Sequence, residues 1–96
     1  MTEEERKKLE KYRELEVTIN TKGWEHIVAY VLARGTGLKN EIAGIDLTKD
    51  VGKAMKKQGI IRGMNGVINW VGNTMTEGKM IEDKELDKKK KEKSNG

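Results

Sequence analysis

Apolar residues separated by alternating steps of four and three run through two long stretches of this chain, and that spacing admits few structures other than packed helices. Trp24, Val28, Val31, Gly35, Leu38, Ile42 and Ile45 keep it for six consecutive intervals, the a/d spacing of a seam between helices. In the second stretch, a turn of about 100° per residue gathers Ile60, Ile61, Met64, Val67, Ile68, Val71 and Met75 into an arc of about 120°, the width of a core-facing stripe. The opposite side of that helix holds Arg62, Asn65, Asn69 and Asn73. The chain contains no Pro, so its strongest helix breaker is absent, and strict two-residue alternation is nowhere sustained. An all-α fold is expected.

Local signals divide the chain into three helices, near 3–18, 23–43 and 49–76. Thr2 and Glu5 have the spacing of a capping box, and Glu3, Glu4 and Glu5 favour the positive end of the helix dipole. Glu3 with Lys7 and Glu4 with Lys8 are pairs in the favourable i, i+4 order. This first helix has only a narrow apolar stripe of Leu9, Tyr12 and Leu15, continued by Val17 and Ile19. Asn20 or Thr21 supplies an N-cap for the second helix. Gly44 suits a C′ position, and Asp46 or Thr48 an N-cap for the third. The connection is short, which predicts a central antiparallel helical hairpin preceded by a charged helix. Gly35 and Gly37 are the defect in the second helix, because each Gly in a helix interior costs about 1 kcal/mol relative to Ala. Gly78 is the expected stop of the third.

The net charge of +4 invites a nucleic-acid reading until it is divided. From residue 84 to 96, six Lys stand against Glu85, Asp87 and Glu92, a net of +3, so residues 1–83 carry only +1. The expected organisation is one small helical domain over 1–83 and a disordered, solvated Lys-rich tail over 84–96. Lys88, Lys89, Lys90 and Lys91 could touch phosphates non-specifically, which is the weaker reading of the tail. At 96 residues, with 34% apolar and 38% charged residues, the core must be thin, and marginal stability or an oligomer follows.

Chemistry-bearing constellations are scarce. There is no Cys, the only His is His26 and the only Ser is Ser94, so thiol catalysis and a conventional zinc site are excluded and a nucleophile-base pair has no support. Arg34-Gly35-Thr36-Gly37-Leu38-Lys39 lacks the spacing of a phosphate-binding loop and reads as a bend. Glu41, Asp46 and Asp50 lack calcium-loop spacing and read as turn carboxylates and caps. No enzymatic activity and no cofactor are expected. No membrane span is expected either, because the longest apolar run is Ile27 to Ala33, against the roughly 20 residues a span needs. The acidic start also gives no sign of a secretory leader.

Beside the apolar arc of the third helix lies a strip of Gly59, Gly63 and Gly66 ending at Trp70. Such a strip lets a second backbone approach closely. Two readings are open: it admits another helix of the same chain, or with Trp70 it forms an interface. Trp24, on the seam, reads as core.

A Trp opening an amphipathic helix, a charged turn and a second helix with an Arg-Gly step resemble the small helical-hairpin proteins encoded in tailed-bacteriophage head-assembly gene clusters. The matching pieces are Trp24-Glu25-His26-Ile27-Val28-Ala29-Tyr30 and Gly59-Ile60-Ile61-Arg62-Gly63-Met64-Asn65-Gly66-Val67-Ile68, and the resemblance spans roughly residues 22 to 75. It implies a non-enzymatic virion or assembly component, present in the host cytoplasm during assembly, with the virion as a further location left open, that packs against copies of itself or a larger phage structural protein. Two other classes remain: a small inhibitor or adaptor of a host protein, and a nucleic-acid-binding accessory acting through its basic tail.

Overall fold

Three helices account for nearly all of residues 1–95, the part of the chain that the computed structural model describes, with side-chain burial defined through residue 93. They are α1 (Glu3–Ile19), α2 (Lys22–Ala43) and α3 (Val51–Asn95), and the described residues contain no strand.

The start of α1 is built as its sequence predicts. Glu5 N–H donates to Thr2 Oγ1 at 3.1 Å, and Thr2 N–H donates to Glu5 Oε1 at 3.3 Å, which satisfies two of the backbone donors a helix start leaves open. The backbone bond holds the Glu5 carboxyl below its ordinary range. Lys8 reaches Glu4 at 3.7 Å, whereas Glu3 pairs with Arg6 in place of Lys7. At the far end, Asn20 Nδ2 and Thr21 Oγ1 donate back to the carbonyls of Glu16 and Thr18. Both side chains thus serve the end of α1, and Thr21 also stands immediately before α2, at the N-cap position the sequence offers.

The α2–α3 connection also differs in detail. Gly44 does not enter the left-handed region, and α2 closes instead through i→i−3 bonds from Gly44 N–H to Glu41 O and from Ile45 N–H to Ile42 O. Asp46 accepts from Thr48 N–H at 3.0 Å and Thr48 Oγ1 at 2.6 Å, a local turn that lowers the Asp46 pKa. Neither residue caps α3, whose first turn takes its carbonyl acceptor from Asp50.

The largest departure is the length of α3. Gly78, expected to stop the helix, lies inside it, and residues 84–95 of the expected disordered tail are helical. Gly96 lies outside the described residues. This segment is rich in Lys and Glu, both good helix formers, and contains no Pro. Lys79 and Asp83 form an i, i+4 pair at 3.5 Å, and Glu85 with Lys89 and Lys88 with Glu92 repeat the spacing.

The chain divides into two compact units. The first combines α1 with α3 from Trp70 onward. Leu9, Tyr12 and Val71 are buried there, as is Gly78. A Cβ at Gly78 would overlap the Cβ and ring of Tyr12, so the glycine is what lets α1 lie this close to α3. Burial in turn pushes the Tyr12 phenol above its ordinary pKa. The second unit, Lys22–Asn69, contains α2 and the first part of α3. Its buried residues are Leu38 and Ala54.

Candidate protein interface

Within α2, Trp24, Val28, Val31, Gly35, Leu38 and Ile42 are the residues shielded from solvent to any degree, and Ile45 in the turn continues the row. The seam read from the sequence is therefore the inner face of the second unit. On α3 the shielded residues of this unit are Ala54, Lys57, Ile61, Met64 and Ile68, again at steps of three and four. Lys57 Nζ donates to Glu41 Oε2 at 2.9 Å across the two helices, with Lys57 only 30% exposed. This ammonium is what lowers the Glu41 pKa.

The inner face of α3 is rotated away from the arc expected for it. Ile60 and Val67, counted within that arc, are 45% and 60% exposed. The rotation turns Gly59, Gly63 and Gly66 to the side of α3 opposite Ile61 and Ile68, at about 100° per residue. A Cβ at any of the three would meet nothing within 4 Å. The strip does not admit another helix of its own unit, and that reading is corrected. Trp70 opens the first unit, where it is 51% exposed. Lys88, Lys89, Lys90 and Lys91 are exposed on the last turns of α3.

Other candidate chemistry is absorbed into local structure. Arg34-Gly35-Thr36-Gly37 lies inside α2 and is not a loop. Glu41 is paired with Lys57, Asp46 with Thr48, and Asp50 lies 3.9 Å from Lys53. Among the described residues no group of three or more His, Cys, Asp or Glu is placed to hold a metal. The second unit has a cleft of about 300 Å³ lined by Lys39, Ile42, Gln58, Ile61 and Arg62, but no acid-base pair faces into it.

No family model, curated protein or solved structure matches this chain. No helix among the described residues is long and apolar enough to cross a membrane.

What spacing alone did not isolate is a side of the second unit formed by Ile27 and Tyr30 of α2 with Ile60 and Val67 of α3. These are 53%, 65%, 45% and 60% exposed. The clefts place the opposite flank, Leu32 and Lys39 of α2, beside Gln58, Arg62 and Asn65 of α3. The Glu41–Lys57 pair marks this one. The signal was present in Ile27 and Tyr30, which lie off the seam of α2 on a single side.

Proposed function

We propose that α2 and the first part of α3 form an antiparallel helical hairpin, and that the chain is a non-enzymatic assembly component working by helix-to-helix packing. The observation that carries the reading is the poor balance of burial in the second unit. It buries only Leu38 and Ala54 while Ile27, Tyr30, Leu32, Leu47, Val51, Met55, Ile60 and Val67 stay between 45% and 67% exposed. Apolar surface so disposed marks contact with another protein. The open Cβ positions at Gly59, Gly63 and Gly66 support close approach of a partner helix to α3 within the second unit; in the first unit, half-exposed Trp70 is by itself a suitable anchor. The tailed-phage head-assembly setting, whether virion or host cytoplasm, rests on the sequence resemblance of residues 22 to 75.

The test is the mass of the full chain by light scattering at moderate salt, alongside Gly63→Leu. A defined oligomer, lost in the variant while far-UV circular dichroism stays helical, is the expected result. A monomer that binds duplex DNA with steep salt dependence would overturn the reading in favour of the Lys-rich end of α3.

A further inference from the structure

We propose that the face formed by Ile27, Tyr30, Ile60 and Val67 is the surface on which a second copy of this chain docks, through a two-fold axis that sets Tyr30 of each copy over Gly37 of the other. The inference rests on the helix-packing reading above and names its partner.

The apolar arcs of the two helices are not aimed only at each other. About the seam residues Val31 and Ile61, Ile27 and Tyr30 on α2 and Ile60 and Val67 on α3 extend the arcs to one and the same side of the unit, the side of the Glu41–Lys57 pair. A pair of helices with arcs so displaced is half of a four-helix bundle, in which each arc points between its own partner and the opposing pair.

Spacing along the helices makes the face complementary to itself. Glu41 pairs with Lys57, and Gly35 shares a cleft with Ile61, so in the antiparallel arrangement Tyr30 stands level with Val67 and Gly37 with Ile60. Rotation about an axis crossing midway between Ile60 and Val67 exchanges those two residues, and at the same level on α2 it exchanges Tyr30 with Gly37. The largest exposed side chain of the face then meets the position with no side chain. A Cβ on Gly37 has nothing within 4 Å in its own chain, so the socket is open. This gives Gly37 a purpose that the helix interior does not, since Gly there only weakens α2.

The area also suits a second copy. Taking roughly 180 Å² for each side chain when fully exposed, the four residues present about 400 Å² of apolar surface. A standard interface buries about 800 Å² per partner, a little over half of it apolar. One isologous contact of this kind is what a dimer requires. Arg34 lies near the axis, within electrostatic reach of the Glu41 carboxylate that Lys57 of the same chain holds.

The experiment uses the full chain from low to high micromolar concentration. Sedimentation equilibrium is measured for the wild type, Tyr30→Glu and Gly37→Leu. Because the chain has no Cys, Arg34→Cys and Asn40→Cys each report a single position under mild oxidation. The expected result is a wild-type dimer or a multiple of it, loss of that contact in both Tyr30→Glu and Gly37→Leu with helical content retained, and a disulfide-linked dimer from Arg34→Cys but not from Asn40→Cys, which lies on the far side of α2. An oligomer unchanged in Tyr30→Glu and Gly37→Leu but dissolved by Gly63→Leu would overturn this face and leave the helix-packing reading standing. A wild type that is monomeric throughout would overturn the self-association, and salt-sensitive DNA binding by that monomer would remove the underlying reading as well.

Discussion

Replacing Gly78 by Ala should destabilise the protein, although the same replacement at Gly72, six residues earlier on α3, should stabilise it. In both cases Ala gains about 1 kcal/mol of helix propensity. At Gly72 the new methyl meets nothing within 4 Å, so the gain is expressed in full. At Gly78 it would overlap the Cβ and ring of Tyr12. The ring could swing away about χ1, but the Tyr12 Cβ is fixed to the backbone of α1, so full relief requires α1 to move. Overpacking of this kind costs typically 1–3 kcal/mol, and backbone attachment places Gly78 near the upper value. The net is therefore a loss of about 2 kcal/mol at Gly78 against a gain of about 1 kcal/mol at Gly72. For a domain of this size, 1 kcal/mol moves the melting temperature by roughly 4–8 °C. Gly78→Ala should thus melt roughly 8–16 °C lower and Gly72→Ala roughly 4–8 °C higher, on the same scale. Thermal melts followed by far-UV circular dichroism at matched protein concentration give both shifts. If Gly78→Ala is stabilised as much as Gly72→Ala, α1 does not lie against α3 at Tyr12 and the first unit is wrongly described.

Thr2→Ala removes the acceptor of Glu5 N–H and should cost about 1 kcal/mol, read from urea titrations, with the lost helical signal confined to the start of α1. The carboxyls of Glu5, Glu41 and Asp46 all have lowered pKa values. Their stabilisation is therefore fully present above the unfolded carboxylate range and is lost as pH falls through the lower folded values. The melting temperature should decline on acidification below about pH 4, with a shallower decline in Lys57→Met, which removes the partner of Glu41. At the alkaline end the raised Tyr12 pKa keeps the folded state favoured until the phenol ionises, so stability should fall above pH 10 and fall less in Tyr12→Phe. Deleting residues 87–96 should leave the melting temperature within error, since Lys88 to Lys93 are exposed; a loss above about 1 kcal/mol would show that this end docks on the fold.

The inner face of α2 was legible because a single periodic row of side chains determines it, and each residue from Trp24 to Ile45 in that row is shielded. The capping box at Thr2 was legible for a similar reason, since both partners lie within one turn. What escaped the sequence depends on partners far away along the chain. Gly78 carries the local signature of a helix end, and only the presence of Tyr12 from α1 makes it a contact. The rotation of α3 that exposes Ile60 and Val67 depends on which edge of a broad apolar arc meets α2, a choice the arc itself does not encode. The Lys-rich end had composition typical of a solvated tail, yet its Lys and Glu residues at i, i+4 spacing also favour helix, and continuity with α3 removes the cost of nucleating it. Within the candidate interface, the glycine strip was visible as spacing. Its outward direction became clear only once Ile61 and Ile68 were seen to face inward.

The central claim, that a partner chain completes the burial left open by the second unit, is tested most directly by the solution mass of the 96-residue chain at moderate salt across a range of concentrations. Sedimentation equilibrium should return a defined multiple of 10.9 kDa that dissociates on dilution, accompanied by a melting temperature that rises with concentration. A mass of 10.9 kDa at every concentration, with a melting temperature that does not change, would contradict it.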